Sequence, residues 1–495
     1  MTGDTTPPLL AGTAQAQLAA MAAGETTAEA LMQATLAQIA RINGTVNAIV
    51  SLRDPDALLA EARAADAARA AGRACGALHG LPMAVKDLAD VAGLETSMGS
   101  PILAGQVARR DELFVARLRA AGAIFIGKTN TPEFGLGSHT FNPVHGSTRN
   151  PWAPDHMGAR TAGGSSGGAA VALATRMLAL ADGSDMMGSL RNPAGWGNVY
   201  GLRPSWGRVP ALPEGETFLH NLSTNGPMAR CPRDLALLLE VMAGPEPARP
   251  FCLPAEAFVA PLAADLRGRR IGWLGDWGGA FAMEDGILPL CEGALARFDA
   301  LGVTVEPVAP PFPAPELWDS WMTLRAFANA ARLGPLHADP ARRAQLKAAA
   351  VWEVEQGQGL SLAQVEAASL IRSRWYARAA GLFDRYDALA LPTAQVWPFP
   401  IDQEHPTQIA GRAMDTYHRW MEVVIPASLI GLPALAIPAG FGTWGPGAGL
   451  PMGVQLIGRH GDDLGLLQLA EGWHGITGGA ETQMPPMLPG PQASG

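Results

Sequence analysis

Cysteine is scarce in this sequence. The 495 residues include only four cysteines, and no two of them form a CxxC pair. This pattern excludes the common zinc and dithiol motifs. So few cysteines in so long a chain also do not indicate a disulfide framework. We therefore expect reduced or buried thiols, and no metal site, at Cys75, Cys231, Cys252 and Cys291.

Charge of one sign and long apolar runs are lacking as well. Only 16% of the residues are charged, and the net charge is −9 without a basic patch. Nucleic acid and anionic membranes are therefore poor candidates as partners, and a small molecule fits better. No apolar window is long enough to span a bilayer, and the N-terminus lacks the basic start and apolar stretch of a signal peptide. We expect a cytoplasmic protein.

The 48% of apolar residues are enough for a large core, and their pattern alternates between helix and strand. Thr26 and Glu29 have the spacing of a capping box before an early helix. The segment "VARLRAAGAIFIGKTN" reads as a helix followed by a buried strand at 123–126. Such alternation predicts an α/β fold. The chain divides into N-terminal helices at 10–72, an α/β core at 73–311 and 386–477, a mostly helical insertion or lid at 312–385, and a loose tail at 478–495.

A glycine- and serine-rich stretch, "TAGGSSGGAA", begins at Thr161. A phosphate-binding loop would need a lysine that this stretch lacks. Residues 163–167 formally match the G-x-S-x-G elbow of α/β-hydrolases, but the elbow serine must follow a buried strand, and the preceding "PWAPDHMGARTA" is polar. The base for such an elbow would be His139, His220 or His418, and nothing around them selects one.

A third interpretation uses the stretch together with its surroundings. The segments "GLPMAVKDLADV", "GKTNTPEFG", "GSTRNPWAP", "GGSSGGAA", "GSDMMGSLRNPAG" and "GLRPSWGRVP" follow one another in this order. In this order they resemble the amidase signature family of serine hydrolases. The resemblance extends from about residue 10 to about residue 475 and is weakest over 312–385. It implies one large mixed β-sheet with helices on both faces.

The resemblance assigns three catalytic residues: a lysine, a bridging serine and a nucleophilic serine. These would be Lys86, Ser165 and Ser189. Taken singly, each has a plainer explanation as a solvated lysine, a turn serine and a helix cap. Taken together at these spacings, the catalytic interpretation is favoured.

The implied chemistry needs a neutral amine. A serine hydroxyl is a weak nucleophile that requires a base, and a lysine near its reference pKa of about 10.4 is protonated. Burial disfavours the ammonium and lowers that pKa. Neutral Lys86 would then draw a proton from Ser165, and Ser165 would draw one from Ser189.

The resemblance also implies a supporting frame for this relay. The bridging serine would follow a cis peptide bond at Gly164–Ser165, and no cofactor or metal is needed. The oxyanion would be bound by the backbone N–H groups of Met186, Met187, Gly188 and Ser189, and the site would be supported by Ser166, Asp185 and Arg191.

This chain departs from the usual family pattern at one position of the oxyanion loop. Where a Gly-Gly pair is common, it has Met187-Gly188. A methionine at positive φ would be strained, so the departure affects either the loop conformation or the size of the pocket. We expect a narrower, more apolar pocket, because methionine adapts its shape readily.

The substrate class is open at this level. Small-molecule amides, anilides, aryl esters and carbamates suit the same acyl-transfer machinery, which would make the enzyme an amidase, an esterase or a urethanase. The alternatives are a glutaminase subunit of a multi-protein amidotransferase and a non-catalytic homologue. We expect a monomer or homodimer. Some of the many tryptophans either fill the core or line an apolar funnel: Trp318, Trp321, Trp375, Trp397 and Trp420.

Overall fold

Strands and helices alternate along the chain in the computed structural model, which describes residues 8–211, 216–479 and 482–488. The strands are β1 (Ile49–Val50), β2 (Pro82–Lys86), β3 (Ile124–Thr129), β4 (Leu180–Asp185), β5 (Tyr200–Arg203), β6 (Thr224–Ala229), β7 (Arg270–Trp273), β8 (Thr304–Pro307), β9 (Ala388–Pro392), β10 (Gln408–Ile409), β11 (Arg412–Ala413), β12 (Ala434–Phe441) and β13 (Pro451–Ile457). The helices are α1 (Pro8–Ala11), α2 (Ala14–Ala23), α3 (Ala28–Val46), α4 (Pro55–Ala70), α5 (Leu113–Ala120), α6 (Gly167–Ala174), α7 (Arg191–Gly197), α8 (Pro232–Met242), α9 (Ile287–Ala296), α10 (Ala314–Ala338), α11 (Pro340–Arg343), α12 (Ala348–Gln358), α13 (Leu362–Leu382), α14 (Ile425–Ser428) and α15 (Asp463–Thr477).

The large sheet has eight strands in the order β4-β6-β5-β12-β13-β9-β7-β8. It is mixed: β7 runs parallel to β8 and β9, whereas the other neighbours are antiparallel. Central strands such as β9 and β13 are buried along their whole length, because helices cover the sheet. The predicted α/β class with one large mixed sheet is confirmed.

A smaller sheet in the order β1-β3-β2 carries the predicted lysine. Strands β2 and β3 are parallel, and Lys86 is in register with Thr129. The carboxyl end of β2 lies against β4, where the backbone N–H of Lys86 donates to Asp182. This contact brings the last residue of one buried strand beside the strand that leads to Ser189.

The segment between β8 and β9 is mostly helical, with α10, α11, α12 and α13 following one another. Helix α10 packs against α12 and α13. Its buried face includes Leu317, Trp321 and Leu324, which follow the three- and four-residue spacing of one helix face. The same helix carries two arginines to the cavity described below.

The start of α3 differs from the prediction by one residue. Thr27, not Thr26, is the N-cap, and its hydroxyl accepts a hydrogen bond from the N–H of Ala30. The carboxylate of Asp66, in α4, accepts hydrogen bonds from the first two amides of the helix, those of Ala28 and Glu29. Either threonine has the side chain for a cap; the tertiary contact with Asp66 selects where the helix begins.

The tail after Thr477 lies partly outside the described residues, namely 480–481 and 489–495. In the described part, Asn198 donates to the side chain of Gln483 at 2.8 Å, and Leu488 is buried. The four cysteines are free thiols. Within the described ranges, no helix is both long enough and apolar enough to cross a membrane.

Candidate active site

Lys86 ends a strand whose five residues are all buried. Its Nζ lies 2.7 Å from Oγ of Ser165 and 2.8 Å from Oγ of Ser166. The hydroxyl and carbonyl oxygens of Ser184 complete the set at 3.1 and 3.3 Å. The amine is therefore surrounded by neutral oxygens, and the side chain is only 1% exposed.

This environment disfavours the ammonium form. Burial lowers the pKa of Lys86 to about 7, although the charges of Asp182 and Asp185 act to raise it. Burial also raises the pKa of Asp182 to about 6, so this carboxylate stays mostly charged at neutral pH and is the main group that favours the ammonium. At neutral pH a large share of the protein molecules still carry Lys86 as the neutral amine, which a general base requires.

Ser165 and Ser189 come from separate segments and line one cavity of about 60 Å³. Ser165 follows a cis peptide bond at Gly164–Ser165, just before α6. Ser189 lies in the loop between β4 and α7, and its backbone carbonyl accepts from the N–H of Ser166. No hydrogen bond joins the hydroxyls of Ser165 and Ser189 in the described chain.

The loop of residues 186–189 presents backbone amides beside the serines. The N–H groups of Met186, Met187 and Ser189 have no acceptor among the described residues. The prediction for the fourth amide is corrected: the N–H of Gly188 donates to Oδ1 of Asp185 at 2.8 Å. This amide is not available to an oxyanion, because the buried carboxylate of Asp185 needs hydrogen-bond donors of its own.

The Met187-Gly188 pair does not strain this loop. Gly188 has a φ of 81°, whereas Met187 is not among the residues with positive φ. A Cβ on Gly188 would also lie 2.9 Å from Val424, so glycine is required at this position on both counts. The lining of the cavity includes Met187 but also Arg325 and Arg332, so its wall is not uniformly apolar, and the narrowing of the pocket by Met187 stays a prediction.

Asp185 and Arg191 form a bidentate pair that is shielded from solvent, with both N–O distances at 3.0 Å. Arg203 lies 3.5 Å from the same carboxylate. Burial acts to raise the pKa of Asp185, but the charges of Arg191 and then Arg203 hold it well below its usual range. Asp185 also accepts from the amides of Gly188 and Leu190, so the pair fixes the loop that carries Ser189.

Ser184 and Asp182 were not identified from the sequence, although both contact Lys86. The signal was available, because residues two apart in a strand share a face. Gly183 between them is also constrained: a Cβ there would lie 2.6 Å from Oγ of Ser166. Two other residues of the cavity, Arg325 and Arg332, lie in the least informative part of the sequence and gave no motif.

The residues proposed for other roles do not line the cavity of the two serines. No histidine or tryptophan is found among the described residues of its lining, which leaves out His139, His220 and His418. No described strand leads directly into Ser165, as a hydrolase elbow requires. The tryptophans in question are all buried, which supports core packing: Trp318, Trp321, Trp375, Trp397 and Trp420.

The geometry can be compared with known proteins. The profile of the family described as Amidase matches residues 30–467. The chain belongs to the amidase family. One relative of this amidase is an acylamidase of Rhodococcus erythropolis, 31% identical over 92% of this chain and 94% of the relative. Another is a subunit of the glutamyl-tRNA(Gln) amidotransferase of Chloroflexus aurantiacus, 35% identical over 94% of this chain and 96% of the relative.

Solved structures of other amidases have the same fold. A bacterial aryl acylamidase of the amidase signature family superposes with a TM-score of 0.87 at 28% identity, covering 95% of this chain and 97% of that one. A 6-aminohexanoate cyclic dimer hydrolase gives 0.84 at 27% identity, covering 97% and 100%. This amidase therefore shares its whole architecture with enzymes that are named for different amides.

Proposed function

We propose that this amidase hydrolyses the C–N bond of small-molecule amides through an acyl-enzyme on Ser189. The observation that carries the proposal is the contact between the buried amine of Lys86 and the hydroxyl of Ser165 at 2.7 Å. Burial lowers the pKa of this amine to about 7. Ser165 faces the same cavity as Ser189, so the base can act on the nucleophile through one intervening hydroxyl.

The first half of the reaction transfers the acyl group. Neutral Lys86 accepts the proton of Ser165 while Ser165 accepts that of Ser189, and Oγ of Ser189 bonds to the substrate carbonyl carbon. The C–N bond then breaks, and the proton returns through Ser165 to the leaving amine. Catalytic hydrogen bonds often tighten only when substrate binds, which suits two hydroxyls that share a cavity without bonding.

The second half regenerates the serine. A water gives its proton to Ser165 and onward to Lys86, its oxygen attacks the ester carbonyl, and the carboxylic acid leaves as Ser189 recovers its proton. In both halves the carbonyl oxygen becomes negative. The free amides of Met186, Met187 and Ser189 are its donors, and losing one such donor typically costs a factor of about 10²–10³ in rate.

The leaving group is not restricted to an amine. Anilides, aryl esters and carbamates pass through the same kind of tetrahedral intermediate. We therefore extend the proposal to these three classes as further substrates of the same site. A small organic group fits the cavity of about 60 Å³ that the two serines line. No cofactor enters any step.

Two measurements test the proposal. A fluorophosphonate probe should label wild-type protein on Ser189, identified by peptide mass spectrometry, and should not label the Ser189→Ala variant. A hydrolysis panel of aliphatic amides, anilides, aryl esters and carbamates should show turnover that the same variant loses. Absence of labelling together with absence of turnover would favour a non-catalytic homologue.

A second candidate is the glutaminase component of an amidotransferase, because relatives named for that complex are up to 35% identical over almost the whole chain. This candidate predicts hydrolysis of L-glutamine and stable co-purification with a second protein. Against it, no carboxylate side chain is found among the described residues that line the cavity. The α-ammonium of glutamine would then have no ion partner there.

A further inference from the structure

Arginine is the only charged residue type among the described residues that line the cavity of Ser165 and Ser189, apart from the amine of Lys86 behind them. Two arginines contribute, Arg325 and Arg332 of α10. They are seven residues apart, which is about two turns, so they lie on the same face of the helix about 10 Å apart along its axis. The catalytic cavity thus has a positive wall made by one element.

Arg325 is fixed in place and its charge is balanced. Its Nε lies 2.6 Å from the carboxylate of Glu353, and its Nη2 donates to the hydroxyl of Tyr417 at 2.7 Å. Burial opposes ionisation of Glu353, but the charge of Arg325 lowers its pKa to about 2. The acid therefore stays charged, and this pair sets the position of the guanidinium without adding net charge.

The outer edge of the Arg325 guanidinium still has donors to offer. The sole partner of Nη1 in the described chain is Sδ of Met186 at 3.4 Å, and a thioether is a weak acceptor. Met186 belongs to the loop that carries Ser189. A stronger oxygen acceptor of a substrate would therefore improve on the contact that this nitrogen makes with the protein.

Arg332 supplies the net charge. Its Nη2 donates to the backbone carbonyl of Phe134 at 2.9 Å, on the Ser165 side of the cavity. No carboxylate lies within ion-pair distance of it in the described chain. One uncompensated positive charge thus remains at the cavity, because the charge of Arg325 is balanced by Glu353 and the other described lining residues are neutral.

From this arrangement we infer that the preferred substrates are amides whose short acyl chain ends in a carboxylate, bound by Arg332 and Arg325. Guanidinium groups bind carboxylates with paired, charge-assisted hydrogen bonds. The cavity of about 60 Å³ holds about four to six water-sized groups, which matches an acyl chain of a few carbons. The inference rests on the proposed function and names its substrate class.

A matched pair of anilides tests this preference. Glutaric acid monoanilide carries the carboxylate, and pentananilide has the same acyl length without it. We expect kcat/KM to be at least tenfold higher for the acid, and the ratio to fall towards one in Arg332→Met. Arg342→Met is the control, because Arg342 lies on α11, pairs with Asp339 and is absent from the cavity; its ratio should equal that of the wild type.

Binding to the Ser189→Ala variant separates the two proposals. Calorimetry should show that glutaric acid monoanilide binds at least tenfold tighter than pentananilide. If the wild type hydrolyses both anilides equally, the carboxylate preference is wrong and the hydrolase proposal stands. If the variant binds the acid selectively but the wild type hydrolyses no compound of the panel and is not labelled on Ser189, the hydrolase proposal is wrong and the anion site stands. If the variant shows no selective binding of the acid and the wild type shows no turnover, both proposals are overturned.

Discussion

The Nζ of Lys86 lies 2.7 Å from Oγ of Ser165, although the two residues are 79 positions apart in the chain. The contact forms because the carboxyl end of a buried strand meets the turn that leads into α6. Burial at this junction lowers the pKa of Lys86 to about 7. The distance and the protonation state therefore have one cause, which is the packing of β2 within the core.

Removing the amine should abolish turnover without unfolding the protein. We expect Lys86→Ala to lose at least 10³-fold in kcat, because no other base contacts the hydroxyl of Ser165 among the residues that the structure describes. The melting temperature should stay within a few degrees of the wild type, since an amine with a pKa of about 7 carries only part of a full charge at neutral pH. Activity close to wild type, with an unchanged melting curve, would remove Lys86 from the relay.

The pH dependence should report the same amine. Because the neutral form is the base, kcat/KM should rise with pH through about 7 and level off above it. The charge of Asp182 acts to raise the pKa of Lys86, so Asp182→Asn should move this rise to lower pH. Asparagine keeps an oxygen for the N–H of Lys86. A rise that stays in place or moves to higher pH contradicts the assignment.

Met187 should limit the size of the acyl group. Met187 is among the residues that line the cavity and its φ is not positive, so a glycine there can adopt the same backbone conformation. Met187→Gly should raise kcat/KM for benzoyl anilides relative to acetyl anilides by about tenfold. An unchanged ratio across the two acyl groups would show that Met187 does not bound the acyl pocket.

The buried pair of Asp185 and Arg191 should matter for stability. Arg191→Met leaves a carboxylate that is 0% exposed without its bidentate partner, which typically costs about 3–5 kcal/mol. We expect a clear drop in the free energy of unfolding measured with denaturant. The exposed pair of Arg385 and Glu306 provides the control, since Arg385→Met should cost no more than about 1 kcal/mol.

Acid titration gives a second measure of that pair. The pKa of Asp185 is held well below its usual range in the folded state, so its contribution to stability is present above the ordinary carboxyl pKa of about 3.9 and is lost as the pH falls below it. The stability lost on acidification should be smaller in Arg191→Met, because without Arg191 the pKa of Asp185 in the folded state is lowered less. Equal losses in both proteins would place the acid sensitivity elsewhere.

The predicted fold class and family were confirmed, because both rest on local signals. The glycine-rich turn, the apolar run before Lys86 and the serine spacing are properties of short segments. The start of α3 was placed one residue early, since Asp66 selects Thr27 through a contact between two helices. The amide of Gly188 was likewise misassigned, because the sequence does not show that Asp185 accepts it.

What the sequence by itself determined is the set of reacting groups, since their identities and spacings are fixed along the chain. What only the tertiary structure decided is their physical state and their surroundings. The pKa of Lys86 depends on the removal of water by segments that are distant in sequence. The positive wall of the cavity arises from Arg325 and Arg332, which no motif marks and which line the same cavity as the serines only in the folded chain.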